Sequence, residues 1–304
     1  MCIRDSIGNM ILVQIFFASL VIGPIVWGIV NWLKYKGLNA PKVAIHYPTM
    51  INSAVFFALA FNIIFFLQEV FLVLGKKALG LQSFLYHNNH TWEGEHPMAS
   101  LMQGSGALAI FLIGLICLAI FQFIRNSGSI WKLFILWLAF HGLIQSIPQV
   151  IIGYLNPGTD VGQALVGYLK LSEPLLITLA IVSAIAMALL CIWFSKLLLE
   201  FAPVDAVLNN AKVKLKYVRY IAVGAAIIGS ILVVPFRILP MDQAVTPFIV
   251  SAFSIPWIWA AAARSTPIRH VPNSINEKVA WSPIILLLLL LIFFRWALVP
   301  GVEF

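Results

Sequence analysis

Residues 50–74 read MINSAVFFALAFNIIFFLQEVFLVL, with a single charged side chain, that of Glu69. A helix that crosses a bilayer needs about 20 predominantly apolar residues, so this segment is predicted to span a membrane. A polar segment follows it: residues 87–97 read HNNHTWEGEHP and hold three of the six histidines and two of the eleven acidic residues. Apolar segments such as 50–74 indicate the fold class, and the polar segment 87–97 indicates where a functional site is expected.

Seven further segments have a similar length and apolar character. With residues 50–74 included, the predicted spanning helices are 8–32, 50–74, 98–123, 130–155, 173–199, 217–239, 245–264 and 281–299. Hydrophobic residues make up 62% of the chain and charged residues only 10%, whereas soluble domains carry roughly 25% charged residues. The sequence therefore predicts an all-α, polytopic integral membrane protein, a single bundle of about eight transmembrane helices that forms one domain over 1–304.

Charged residues are distributed unevenly between the two sides of the predicted bundle. The connections after the first, third, fifth and seventh helices hold 13 of the 19 basic residues but only three of the eleven acidic ones. Because basic loops stay in the cytoplasm, both termini are predicted to lie outside, in a bacterial-type cytoplasmic (inner) membrane. These loops account for the net charge of +8, so the lipid bilayer, and not nucleic acid, is the expected partner.

The cysteines and the N-terminal residues carry little functional information. Cys117 and Cys191 lie inside apolar segments and Cys2 at the start, so neither a disulfide framework nor a cysteine metal motif is predicted. No cleavable signal peptide is predicted, because the first apolar segment is too long and lacks a small-residue cleavage site. The opening MCIRDS resembles a translated sequencing adapter, which leaves open whether the natural N-terminus is present.

Polar side chains within the predicted helices collect in the outer half, and the inner half is predicted to be nearly free of them. His141, Gln145 and Gln149 recur every four residues on one face of the fourth helix, and a rise of about 1.5 Å per residue places His141 near mid-bilayer. Because ionisable groups are costly to bury in a membrane, they mark functional sites by default. We predict a polar cavity open to the outside, whose other members are Glu69, Gln103, Arg237 and Asp242.

The polar segment after the second helix offers a candidate metal site that would roof this cavity. His87 and His90 would place two imidazoles on one face of a helical turn, and further donors follow at Glu93, Glu95 and His96. Sets of histidine and carboxylate ligands suit zinc or iron. Two alternatives stay open: a solvated loop whose histidines and carboxylates hydrogen-bond one another, and a lid over a bound ligand.

Known membrane enzymes do not match the histidine pattern. Haem A synthases combine eight helices with outward histidines on four helices in two similar halves, but here helices six and eight carry no histidine. Haem is therefore less favoured than zinc or iron. The HExxH motif of intramembrane zinc proteases is also missing from the second helix, where residues 68–72 read QEVFL. No family is assigned.

The first functional hypothesis is a membrane-embedded enzyme, with or without a metal, whose His/Glu site lies in the extracytoplasmic half. Glu69 and His141 would complete the site beside the loop histidines, Arg237 would counter negative charge on a substrate or intermediate, and the substrate would be lipid-like or another small molecule. Four side chains would contribute to binding: Gln103, Gln145, Gln149 and Asp242. The alternatives are a transporter or proton-coupled carrier, and a non-catalytic membrane subunit or assembly factor. The sequence does not indicate the oligomeric state.

Overall fold

The computed structural model describes residues 3–40, 47–124, 129–202, 209–238, 241–267 and 278–304, with side chains described throughout except at 3–17 and 242. Within these ranges, eight helices are long and apolar enough to span a membrane, which confirms the predicted all-α polytopic bundle. In chain order they are α1 (Ile3–Tyr35), α2 (Tyr47–Lys77), α3 (Ala99–Phe123), α4 (Trp131–Leu155), α5 (Glu173–Leu199), α6 (Ala211–Arg237), α7 (Gln243–Ala261) and α8 (Trp281–Leu298).

Several of these helices are interrupted or change pitch. Pro148 has no backbone N–H to donate, and α4 accordingly divides at residue 147, while α3 divides at residues 103–104. The segments of α3 are Ala99–Met102 and Ser105–Phe123, and those of α4 are Trp131–Ser146 and Pro148–Leu155. In α6, the π-helix Arg219–Gly224 lies between Ala211–Val218 and Ala225–Arg237. The 3-10 turn Met241–Val245 precedes Thr246–Ala261 in α7, and α8 consists of Trp281–Phe293 and the π-helix Phe294–Leu298. A short helix, Asp160–Gly162, and the π-helix Gln163–Tyr168 connect α4 to α5.

The second helix, α2, lies at the centre of the bundle, where it packs against α3, α4, α6 and α8. Its residues 54–61 read AVFFALAF, and every one of these side chains is buried. A helix that is apolar on all sides is expected in the interior of a bundle or in a membrane. The outer helices α5 and α8 instead expose side chains such as Ile185 and Leu289, which suits contact with lipid chains.

A pair of glycines lets α3 and α4 approach closely. A Cβ atom placed on Gly142 would lie 2.7 Å from Cα and 2.8 Å from the backbone nitrogen of Gly114, and 2.8 Å from the carbonyl oxygen of Ile110. Small residues at helix crossings permit this backbone contact in membrane proteins. The contact joins the two helices that carry Gln103 and His141, so it sets the position of both side chains.

A small antiparallel sheet covers one end of the bundle. Its strands are β1 (Gln82–Leu85), β2 (His90–Glu93) and β3 (Val302–Glu303), in the spatial order β2-β1-β3. The register pairs Leu85 with both His90 and Val302. The predicted helical turn over His87 and His90 is therefore wrong, because the backbone of this segment makes its hydrogen bonds across a hairpin. We call the end of the bundle that carries this sheet the hairpin end.

The opposite end of the bundle contains more buried polar side chains than predicted. Ser53 donates to the carbonyl oxygen of Ile221 at 2.7 Å and accepts from Nε1 of Trp137 at 3.0 Å. The amine of Lys214 donates to the carbonyl oxygen of Ser265 at 2.8 Å. Further buried polar residues at this end are Asn52, Lys132 and Glu200. The sequence predicts an inner half nearly free of polar side chains apart from its flanking lysines and arginines, and the buried Asn52, Ser53 and Glu200 correct that prediction. Helix ends bury polar groups where backbone groups can pair with them.

Candidate functional site

Glu69 and His90 form a buried ion pair where the hairpin meets α2. Glu69 lies in the last third of α2, and His90 is the first residue of β2. Nδ1 of His90 lies 2.8 Å from Oε2 of Glu69, and the two residues are 8% and 5% exposed. Because a buried charge needs a partner, the pair both neutralises Glu69 and fastens the hairpin to the bundle.

The second ring nitrogen of His90 is held by Gln103, at the interruption of α3. Nε2 of His90 lies 3.0 Å from Oε1 of Gln103, which is 3% exposed. A carboxylate and an amide oxygen both accept hydrogen bonds, so this arrangement fits an imidazolium that donates from both nitrogens. The ring of Trp92 stacks with that of His90 at a centroid distance of 6.0 Å.

Two further charged side chains act on this pair. The amine of Lys76 lies 4.1 Å from the ring centroid of Trp92 and donates to the carbonyl oxygen of Ala99. Burial by itself lowers the pKa of His90, but the hydrogen bond and charge of Glu69, with the charge of Asp160, outweigh it and raise the pKa above its ordinary value. Burial and the charge of Glu69 also raise the pKa of Asp160, against the opposing charges of His90 and Lys76. We call Glu69, Lys76, His90, Gln103 and Asp160 the charged cluster.

The raised pKa of His90 predicts a pH-dependent stability. The folded state holds the imidazole proton more tightly than the unfolded chain does, so the stabilisation is complete below the ordinary pKa of about 6.5 and is lost as the pH rises through the folded-state value. Thermal midpoints of the detergent-solubilised protein are expected to fall from about pH 6 to pH 9 more steeply than those of His90→Phe. His96→Phe, outside the cluster, serves as the control, and equal slopes for all three proteins would contradict the assignment.

Arg237 is a buried cation beside the charged cluster. It is 1% exposed, and its Nη1 donates to Oδ1 of Asn88 at 3.2 Å, at the tip of the hairpin. Its guanidinium carbon lies 3.2 Å from the ring centroid of Phe65 and 5.4 Å from that of Phe61. No described residue accepts a hydrogen bond from its Nε or Nη2. Two charged donors are therefore left for an acceptor that the described part of the chain does not provide.

The five predicted metal ligands do not converge. Glu93 and Glu95 are exposed, and the half-buried His96 accepts a hydrogen bond at Nδ1 from the backbone of Met98 at 3.1 Å. His87 lies half-buried at the hairpin tip, while His90 faces Glu69. Across the described ranges, no group of three or more His, Cys, Asp or Glu side chains is placed to hold a metal ion. Of the five, only His90 and Glu93 lie in β2, three residues apart, and the alternation of side chains along a strand places these two on opposite faces.

His141, Gln145 and Gln149 form a separate polar chain along α4. His141 is fully buried among aromatic rings, with the ring centroid of Phe57 at 4.4 Å and that of Phe61 at 5.3 Å. Nε2 of Gln145 lies 3.3 Å from Nδ1 of His141. The structure gives His141 no hydrogen bond to the charged cluster, so the predicted floor of the site and its predicted roof are two distinct arrangements.

Some members of the site were predicted from the sequence, and others were not. Glu69, His90 and Gln103 were each predicted as site residues and do contact one another, although their roles stay predictions. Lys76 and Asn88 were not predicted, and Asp160 was predicted only as one of the polar groups on the outer side, without a role in the site. Asn88 lies at the hairpin tip between β1 and β2, and these strands are too short for the hairpin to be recognised before the pairing is known. The side chain of Asp242 lies outside the described part of the chain, and its backbone belongs to the 3-10 turn Met241–Val245.

Comparisons with protein-family models, with curated proteins and with solved structures found no match to this chain. Function is therefore argued from the chemistry of the site.

Proposed function

We propose that the protein is a membrane-embedded enzyme that uses acid–base chemistry at the charged cluster, on the extracytoplasmic side of a bacterial-type plasma membrane. The observation that carries the proposal is Arg237, a fully buried guanidinium with two donor nitrogens, Nε and Nη2, from which no described residue accepts a hydrogen bond. Leaving a buried charged donor unsatisfied costs about 1–3 kcal/mol or more. An anionic group of a substrate, or an oxygen that becomes negative during reaction, would supply the missing acceptor.

The acid–base pair would be Glu69 and His90. Glu69 holds Nδ1 at 2.8 Å, which orients the imidazole and stabilises its protonated form, as a carboxylate does for a catalytic histidine. The proton on Nε2 would pass to a substrate oxygen that takes the place of Gln103. Arg237 would stabilise negative charge on the same substrate, since preorganised donors in a dry site are a major source of rate enhancement.

Arg237 is linked to this pair through the hairpin and α2. Asn88, which accepts from Arg237, lies two residues before His90, and Phe65, beneath the guanidinium, lies one helical turn before Glu69. The zinc or iron hypothesis is not carried into this proposal, because the donors of the hairpin diverge. The charged cluster can move a proton with its own side chains.

Transport is less well supported than catalysis. A carrier needs polar groups along its pathway, and ionisable residues are the usual markers of such a path. The central helix α2 presents eight consecutive apolar, buried residues over 54–61 between its polar ends. Buried charges also occur at the opposite end, but no charged residue interrupts this apolar run of α2, and the pairing of Glu69 with His90 beside Arg237 favours a reaction site at the hairpin end.

The proposal is tested by following lipids in reconstituted membranes. The purified protein is placed in liposomes of bacterial polar lipid extract, and the lipids are followed over time by mass spectrometry. We expect one lipid species to be consumed and another to be formed. Arg237→Met is expected to slow this conversion about a hundredfold, the usual effect of removing one donor that stabilises a developing oxyanion.

The matched control is Arg219→Met, because Arg219 lies at the opposite end of the bundle. It is expected to keep the wild-type rate, and thermal midpoints of both variants verify that they are folded. Equal rates for wild type and Arg237→Met, or no lipid changed beyond protein-free liposomes, would contradict the proposal.

A further inference from the structure

A cavity of about 430 Å³ lies within the bundle, between α1, α2, α4, α5 and α7. Leu20 and Met187 line two of its sides, and α7 contributes residues from Thr246 to Phe253. The volume falls in the range of about 300–1,000 Å³ that is typical of small-molecule sites. The lining residues from α2, α4 and α7 belong to the half of each helix nearer the hairpin end, and two of them, Ile152 and Ile249, are 46% and 52% exposed, so the cavity reaches the outer surface of the bundle.

Among the described residues, the lining of this cavity contains no charged side chain. Its polar members are Thr246 and three glutamines, Gln68, Gln145 and Gln149, and the rest are apolar or aromatic. Burying an unpaired ion in such surroundings is strongly unfavourable. A molecule that fills this cavity would therefore have to be electrically neutral and mostly apolar.

The glutamines provide one defined polar end. Nε2 of Gln149 donates to Oε1 of Gln68 at 2.9 Å and to the carbonyl oxygen of Gln145 at 2.8 Å. Among the described residues, Nε2 of Gln68 and Oε1 of Gln149 make no further hydrogen bond. One amide donor on Gln68 and one amide acceptor on Gln149 are thus left, and a hydroxyl or a neutral carbonyl-and-hydroxyl head group could pair with them.

We infer that this cavity binds a neutral, single-chain amphiphile from the membrane, with its alkyl or isoprenoid chain along α4 and α7 and its hydroxyl or carbonyl head against Gln68 and Gln149. The inference goes beyond the proposed function, because the cavity holds its ligand whether or not the charged cluster performs chemistry. A few placed polar groups in an apolar pocket are the usual means of fixing a ligand's orientation.

The test uses a hexadecanol that carries a photoreactive diazirine in its chain. The protein in detergent is irradiated with this probe, and labelled peptides are identified by mass spectrometry. We expect label on residues of α4 and α7 that line the cavity. Unlabelled 1-hexadecanol should compete about fivefold better than hexadecane, which corresponds to one neutral hydrogen bond.

Two variants test separately whether binding depends on the head-group contact and whether it depends on the volume of the cavity. Gln149→Leu removes the acceptor and is expected to reduce labelling about fivefold, whereas Val250→Phe fills the cavity and should reduce it with the amides intact. Gln122→Leu, on an exposed position of α3, is the control and should label as the wild type does. Label spread equally over lipid-facing residues such as Ile185 and Leu289, equal competition by hexadecane, or unchanged labelling of Gln149→Leu would each overturn the inference.

Discussion

Replacing Glu69 with leucine is expected to destabilise the folded protein by about 3 kcal/mol, because removing one partner of a buried ion pair leaves the other uncompensated. His90 would lose the carboxylate that now lies 2.8 Å from Nδ1, at a position that is only 8% exposed. The hairpin would also lose its bond to α2. The measurement is the free energy of unfolding from titration with a denaturing detergent, followed by tryptophan fluorescence.

A second variant distinguishes loss of the pair from a general effect of the substitution. Glu69→Leu with His90→Phe removes both partners, and it is expected to be more stable than Glu69→Leu alone, since two apolar groups of similar size leave no orphan charge. Glu95→Leu, at an exposed position of the same segment, should change stability by less than about 0.5 kcal/mol. A double variant less stable than Glu69→Leu would show that the pair is not a coupled unit.

Replacing Gly142 with valine is expected to destabilise the bundle by about 3 kcal/mol, at the upper end of the range for overpacked interiors. The new Cβ would lie 2.7 Å from Cα of Gly114 and 2.8 Å from the carbonyl oxygen of Ile110. Both neighbours are backbone atoms and cannot turn aside as a side chain can. The helices α3 and α4 would have to separate along their whole contact.

The matched control is Gly23→Val in α1, where a Cβ atom meets nothing within 4 Å. This variant should stay within about 0.5 kcal/mol of the wild type. The unfolding free energies of both variants are measured by the same detergent titration. Equal losses of stability would mean that valine destabilises any helix by this amount. The close approach of α3 and α4 would then not explain the loss in Gly142→Val.

The helices were predictable because their signal is local. Each spanning segment has enough apolar residues to cross a bilayer by itself, and the structure places a helix on every one of the eight predicted segments. The ends differ by several residues: α2, for example, runs from Tyr47 to Lys77, because its terminal polar residues continue the helix beyond the apolar core.

The sheet at the hairpin end was not predictable in the same way. Its strands hold four, four and two residues, which is shorter than the periodicity needed to recognise a strand. The third strand, Val302–Glu303, pairs with β1, so it joins the β1–β2 hairpin only once α8 has brought the chain back. A histidine spacing that predicts a helical turn therefore belongs to a hairpin.

The sequence by itself determined that this chain is a bundle of eight membrane-spanning helices, because length and apolar content are properties of each segment alone. Only the tertiary structure decided which polar groups meet. Glu69 and Gln103 lie 21 and 13 residues from His90 along the chain, and they reach it because the hairpin folds back onto α2. Among the described residues, the same packing gives His141 no hydrogen bond to the charged cluster and leaves Nε and Nη2 of Arg237 without an acceptor. Contacts of this kind depend on distances between elements, which no local pattern of residues encodes.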